Sequence, residues 1–459
     1  MNRKTILLNC DSYKNSMNTQ YPPGTEYVYS YVEARGGFFE QTVFFGLQGV
    51  IKEYLLTPIT AEQIDFAEKI WNAHGMQFNR QGWEYILKEH GGLIPVKIRA
   101  VKEGSVIPVK NVLCVIENTD PAVPWVTTWA ETLILRAIWY GTTVATLSWT
   151  VKQQIKEYLE KSGDVSLLPF KLHDFGARGV SSFESAELGG AAHLVNFMGS
   201  DTICALPYLA ELYNAPIDSI CYSIPAMEHS TVTSWGKEGE VDAYRNMVKQ
   251  FAKPGAILAC VSDSYDIYQA CEYWGTVLKD DVINSGATLV IRPDSGDPLV
   301  VLPKMLKILE KHFGSTVNEK GYKVLNHVRV IWGDGIDRLA LSSILRVVVD
   351  VCHWSADNLT FGMGGALLGR PQRDDVGFAM KCSAVRVNGE WRDVFKDPIT
   401  DSGKTSKKGR VTLFKGTDGK YYSGREDWMQ DELVTYYDTG KLALDQTLEE
   451  IRQRSNQVA

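Results

Sequence analysis

Apolar, β-branched runs that stop at a polar or glycine-rich loop recur through the second part of the chain, in SICYSIPAMEH, AILACVSDSYD, TLVIRPDSGDP, VRVIWGDGID and NLTFGMGG. Between them, DIYQACEYWGTVLKD and PLVVLPKMLKILEKHF carry apolar residues at the three- and four-residue spacing of helices. Strand alternating with helix predicts parallel strands, and six or more such units favour a closed or nearly closed α/β barrel. The pattern begins near residue 165 and ends near 374. On either side the texture differs. YVYSYV (27–32) reads as an aromatic strand, 41–55 and 125–160 as helices, and KIRAVKEGSVIPVKNVLCVIEN (97–118) as short strands joined by Gly and Pro turns. Short strands and basic turns return after 375. The expected organisation is therefore an α/β barrel domain over 165–374. A mixed, mainly β domain is built from both chain ends, 1–164 and 375–459.

A barrel of this kind presents its chemistry at the C-terminal ends of its strands. Those ends carry His229, Asp263, Arg292 with Asp294, Asp334, and the glycines 362, 364 and 365. In YSIPAMEHSTVTSWG (222–236), Glu228 and His229 precede a Ser/Thr cluster suited to opening a helix, so a plain helix cap would explain the pair without any chemistry. FGMGGALLGRPQRD (361–374) sets glycines before an apolar helix start, with Arg370 and Arg373 close behind. Glycines there let N–H groups approach a phosphate, although GxGG alone is equally a tight turn. IRPDSGDP offers the guanidinium fork of Arg292 beside Asp294 and Asp297, or simply an Arg–Asp pair closing a turn. WGDGID is either a turn or a place where a ligand meets backbone near Asp334.

KLHDFGARG (171–179) puts Phe175 near Arg178, a combination suited to a flat ring bearing phosphate and equally to a core Phe and a surface Arg. Its His-Asp pair lacks further ligands at metal spacing.

Composition narrows the partners. With 44% hydrophobic and 22% charged residues among 459, the chain is an ordinary globular sequence long enough for two domains. A net charge of −7 argues against a nucleic-acid coat, so positive charge for an anionic ligand must be local. KDPITDSGKTSKKGR (396–410) is the obvious source, with Lys396, Lys404, Lys407, Lys408 and Arg410. Eight scattered cysteines without a CxxC pair suggest free thiols in a reducing cytoplasm. No stretch suits a signal peptide or a membrane span.

DSYK (11–14), QYPP (20–23), HDFGARG, YSIPAMEHS, VSDSYD, IRPDSG, WGDG, FGMGG and SKKGR together resemble the nicotinamide phosphoribosyltransferases, in that family's order from residue 11 to 410. The segment after Glu33, EARGGFFEQT, lacks the longer charged insertion of vertebrate members, so the chain looks like a microbial or viral form. Ala177 stands where the vertebrate motif has tyrosine.

The resemblance implies an incomplete α/β barrel of the type II phosphoribosyltransferase kind with a second, mainly β domain, and a homodimer with sites at the interface. It also implies synthesis of nicotinamide mononucleotide and pyrophosphate from nicotinamide and 5-phosphoribosyl 1-pyrophosphate. By that resemblance, Phe175 and a partner chain's Tyr13 would sandwich the pyridine ring. Asp201 would take the amide N–H, and Ser223 would also bind substrate. Arg178, Arg292 and Arg373 would hold phosphate oxygens. Asp294, Gly333, Asp334, Gly364 and Gly365 would surround the ribose and its 5′-phosphate, and Lys396 and Lys404 would add charge. Mg²⁺ would arrive on the pyrophosphate rather than on protein ligands. His229 would be phosphorylated by ATP, oriented by Asp263 with Glu228 in support. The alternatives are a nicotinate phosphoribosyltransferase, a non-catalytic signalling dimer, and, further off, a quinolinate phosphoribosyltransferase.

Overall fold

The computed structural model describes residues 4–400, 405–427 and 430–457. These fall into two compact units, one drawn from Met1–Thr146, Pro207–Pro216 and Pro371–Ala459, the other from Leu147–Leu206 and Ile217–Arg370. The divisions differ from the expected 164/165 and 374/375. The first falls inside the 32-residue helix Glu131–Ser162, whose unbroken helical spacing gives a reader of the sequence nothing to mark. The excursion at 207–216 belongs to the first unit because the Leu212 carbonyl accepts from Gln48 Nε2 and Lys52 Nζ, each at 2.8 Å.

The first unit is built on an antiparallel sheet of seven strands. In spatial order these are Glu390–Asp393, Phe378–Val387, Thr25–Ala34, Val112–Asn118, Val96–Ala100, Val434–Asp438 and Lys441–Leu442, so both chain ends supply it. The aromatic run at 27–32 lies inside Thr25–Ala34, where Tyr29, Tyr31 and Val32 are fully buried. Residues 41–55 are helical only in part. Gln41–Val43 pairs with Val106–Pro108 as a strand, since Thr42 and Val43 are β-branched, and Gly46 at φ 108° sets the break before Leu47–Val50. Trp83 meets Trp125 and Trp129 edge-on at 4.9 and 5.0 Å. The indoles of Trp129 and Trp71 donate to the carbonyls of Ile6 and Leu7, fastening the start of the chain.

The second unit holds the barrel. Its six strands are Leu172–Asp174, Gly199–Ser200, Ile257–Val261, Thr288–Arg292, Val328–Trp332 and Leu359–Met363, hereafter the first to sixth barrel strands. All pair in parallel, in the order second, first, sixth, fifth, fourth, third. Their near-continuous apolar runs reflect burial on both faces. An irregular segment closes the ring: Tyr222 bridges Gly199 of the second strand, and Ala226 bridges Ala259 of the third. The barrel thus has seven staves, one short of the familiar eight.

Helices follow the strands, and three of them start at a capping aspartate. Asp266 accepts from the N–H groups of Tyr268 and Gln269, Asp297 from that of Leu299 with Pro298 in the first turn, and Asp337 from those of Leu339 and Ala340.

Candidate active site

The loops beyond the barrel strands are where sequence-predicted groups of this unit converge. Phe175 follows the first strand and Asp201 the second. Ser223 lies in the closing segment, which leads to Glu228 and His229. Asp263 stands two residues past the third strand, Arg292 ends the fourth with Asp294 two residues on, Gly333 and Asp334 follow the fifth, and Gly364 and Gly365 the sixth.

Phe175 owes its place to glycine. A Cβ at Gly362 would run into its ring, and one at Gly333 would come 3.2 Å from Phe175 Cε2 and 3.5 Å from Asp294 Oδ1. The ring therefore rests on bare backbone, close to the apolar barrel filling of Ala259, Val290 and Ile331 with Ile224. The His173 ring is 5.2 Å away. Behind the turn, the buried Asp174 carboxylate accepts from Gly176 N–H at 2.7 Å and holds the segment in shape.

Asp201 Oδ1 accepts from His173 Nε2 at 2.8 Å and from Ser223 Oγ at 2.6 Å. Burial alone would raise this carboxyl. The bonds from His173 and Ser223, with the charges of His173 and Arg292, outweigh it and hold the group below the ordinary aspartate value. Asp201 does not act as a helix cap.

The Arg292 side chain is 17% exposed, with Nη2 3.7 Å from Asp294 Oδ2, and its buried Nε has no hydrogen-bond partner among the described residues. A buried, unpaired guanidinium N–H is costly, and a ligand oxygen is the natural acceptor. Arg178 is exposed and has no ion-pair partner among the described residues. Gly364 begins the short Gly365–Leu368 helix, and a Cβ at Gly365 would meet open space. Asp334 is exposed, its carbonyl accepting from Trp332 Nε1 at 2.7 Å.

His229 Nε2 lies 3.0 Å from Asp263 Oδ1; the histidine is 44% exposed and the aspartate 5%. Taking Nε2 as the protonated nitrogen leaves the Nδ1 lone pair free. Asp263 Oδ2 accepts from Asp294 N–H at 3.0 Å and from Ser295 Oγ at 2.5 Å. Glu228 precedes the His229–Thr233 helix in the capping position, but its side chain makes no cap bond and instead accepts from Ser230 Oγ. The histidine at this junction is thus oriented by Asp263, not by its neighbour in sequence.

Tyr13, Arg373 and Lys396 belong to the other unit. Tyr13 is 60% exposed on a 3₁₀ turn, Ser12–Thr19, that is tied down by the Lys14–Glu131 ion pair. Arg373 is exposed and bonds Asp374 at 3.1 and 3.2 Å. Lys396 donates its backbone N–H to Ser406 Oγ, and Lys404 lies outside the described residues. Near Lys396 the structure adds two cations that the sequence did not single out. Burial pushes the Lys381 ammonium down; Glu33 opposes that, and the charges of Arg35 and Lys396 add to it. Arg35 and Lys381 were invisible as candidates because each is a lone basic residue in its stretch. His173 and Ser295 were missed as partners because their contacts join different loops.

Comparison with known proteins agrees across nearly the whole chain. The profile of the nicotinate phosphoribosyltransferase (NAPRTase) family matches residues 170–441, and that of the nicotinamide phosphoribosyltransferase N-terminal domain matches 5–98. The chain is 54% identical to a nicotinamide phosphoribosyltransferase of Xanthomonas campestris, covering 98% of each. It is 32% identical to that of Acinetobacter baylyi, covering 97% of this chain and 95% of the other. Among solved structures, nicotinate-nucleotide pyrophosphorylase from Pyrococcus furiosus superposes with a TM-score of 0.65 at 14% identity, covering 100% of this chain and 96% of that one. Human nicotinic acid phosphoribosyltransferase gives 0.60 at 16%, covering 97% and 93%. At such identities these two structures speak for the fold alone.

Proposed function

The chain belongs to the nicotinamide phosphoribosyltransferase family, and from that premise we propose that it joins nicotinamide to 5-phosphoribosyl 1-pyrophosphate, giving nicotinamide mononucleotide and pyrophosphate for NAD salvage. The observation that carries the choice of nicotinamide is Asp201. Its carboxylate, held ionised by His173 and Ser223, is bonded to His173, whose ring neighbours Phe175, and can accept an amide N–H. A nicotinate carboxylate in the same place would set like charges against each other.

In this reading Phe175 stacks on one face of the pyridine ring, and the exposed Tyr13 of a partner chain stacks on the other. Arg178, Arg292 and Arg373 hold phosphate oxygens, with Lys396 and Lys404 adding field. Asp294, Gly333, Asp334, Gly364 and Gly365 enclose the ribose and its 5′-phosphate. Neutral nicotinamide is a weak nucleophile, so alignment supplies much of the acceleration as positive charge develops at the anomeric carbon. Mg²⁺, carried on the pyrophosphate, would neutralise charge on the leaving group. Asp294 has the oxygen-ligand chemistry to meet it through water.

His229 takes a role beside this reaction. With Nε2–H donated to Asp263, Nδ1 attacks the γ-phosphorus of ATP; the N–P bond forms, the bond to the β-phosphate oxygen breaks, and ADP leaves. The eight free cysteines suit the cytoplasm as the place of reaction. Turnover measured in parallel with nicotinamide, nicotinate and quinolinate tests the central assignment. Nicotinamide should lead by a wide margin, and a lead for either acid would overturn it. Intact-mass analysis after ATP treatment should show a phosphate adduct on the wild type and none on His229→Ala, with slow transferase activity persisting in the mutant. An undiminished adduct in the mutant would remove His229 from this role.

A further inference from the structure

We propose that Ser295 is a positioning residue that ties the state of His229 to the grip on the phosphoribosyl substrate, acting through the single carboxylate of Asp263. The inference rests on the reading of His229 given above.

Three neighbouring staves meet at Asp263. The residue follows the third barrel strand; on one side the closing segment delivers His229, and on the other the fourth strand delivers Asp294 and Ser295. Oδ1 serves the histidine. Oδ2 is taken by the Asp294 N–H and the Ser295 hydroxyl, at 3.0 and 2.5 Å. The aspartate is 5% exposed, so water is poorly placed to replace a lost donor.

The torsion that turns a carboxylate about its last carbon–carbon bond is soft. A donor on Oδ2 therefore sets where Oδ1 points. Among the described residues the Ser295 hydroxyl is also the one side-chain donor on Oδ2, and it sits next to Asp294, which the proposed reaction places against the ribose. A shift of the His229 ring when Nδ1 gains a phosphoryl group pulls on Oδ1. The same rigid carboxylate then moves the 294–295 turn. The Asp294 N–H shares Oδ2, but as a backbone group it is the same in every variant, so the Ser295 hydroxyl is the part of the link a substitution can remove; the 3.7 Å approach of Arg292 is to Asp294 and not to Asp263.

The test is a double-mutant cycle read as the KM for 5-phosphoribosyl 1-pyrophosphate with and without ATP, in Ser295→Ala, His229→Ala and the double mutant. The wild type should show a lower KM with ATP. Ser295→Ala should shrink that ATP effect by roughly tenfold, the scale of one hydrogen bond to a charged acceptor. Ser295→Thr, which keeps the hydroxyl, should restore it. In the His229→Ala background the serine change should add nothing to the ATP effect. If Ser295→Ala shifts KM equally with and without ATP, or leaves the ATP effect intact, the coupling is refuted.

Ring-nitrogen NMR of His229 without ATP gives a second readout. A single Nε2–H tautomer in the wild type should give way to a mixture in Ser295→Ala, and an unchanged spectrum counts against the proposal. Should the wild type take no phosphate from ATP, the role of His229 falls, while the spectrum still decides whether Ser295 holds the ring.

Discussion

Two donors on one oxygen leave the other oxygen of Asp201 for a ligand, and that division makes its charge useful. Asp201→Asn keeps the shape and removes the charge. Like-charge contact in a partly shielded pocket costs several kcal/mol, so the wild type should favour nicotinamide by roughly a thousandfold or more. The mutant should lose much of that preference, chiefly by gaining on nicotinate, as kcat/KM for both substrates would show. Unchanged ratios would place specificity elsewhere.

Glu103, in the other unit, is buried and differs in kind. Its Oε1 accepts from the N–H groups of Gly46 and Gln48. Burial raises its carboxyl to about 7, against opposing hydrogen bonds. The native state therefore binds this proton more tightly than the unfolded chain does. Its contribution is present in full below the unfolded value and is lost as pH rises through about 7. Glu103→Gln cannot ionise, so its Tm relative to wild type should climb between pH 5 and pH 8. A difference that stays flat with pH would refute the assignment.

Three strand-to-helix elements repeat one division of labour. In each loop two aspartates stand three apart: Asp263 with Asp266, Asp294 with Asp297, and Asp334 with Asp337. The second of each pair caps the next helix, leaving the first to the site. Asp297→Ala should lower stability by about 1 kcal/mol with little change in KM. Asp294→Ala should do the reverse, abolishing turnover with an unchanged unfolding midpoint. Denaturant unfolding and kinetics on the same two proteins separate these outcomes; a common pattern would dissolve the distinction.

Much of this element level was legible, because apolar β-branched runs ending in polar loops are a local signal. The strand-end groups fall where that pattern put them, from Asp263 to Gly365. The run SICYSIPAMEH reads as one of the strands but forms none: Pro225 interrupts it, and single bridges at Tyr222 and Ala226 join it to its neighbours. The helical reading of 41–55 missed a short strand set by long-range pairing with Val106–Pro108. The same limit hid Ser295 and His173, whose partners lie on other loops, and the lone Arg35 and Lys381. Asp297 read as a site candidate, but the N–H of Leu299 already occupies it.

At the scale of the whole molecule the open element is Tyr13. Its ring stands 60% exposed on an anchored turn, where a second copy could reach it. Lys14 pairs with Glu131, and Asn15 Nδ2 donates to the Gln77 carbonyl at 2.8 Å, so the ring is presented by a fixed backbone rather than a loose end. If it completes the ring pocket of a second copy, each active site draws Tyr13 from one chain and Asp294 from the other. Tyr13→Ala and Asp294→Ala homodimers should then both be poorly active. Mixed in equal amounts and allowed to exchange subunits, half the dimers become hybrids, and each hybrid holds one site with both lesions and one with neither. Activity should return to about a quarter of the wild-type level. Were both groups supplied within one chain, every site in every hybrid would keep a lesion and mixing would restore nothing. Recovery near a quarter, in a mixture whose exchange is verified by native mass spectrometry, supports the shared site; no recovery in that mixture rules it out.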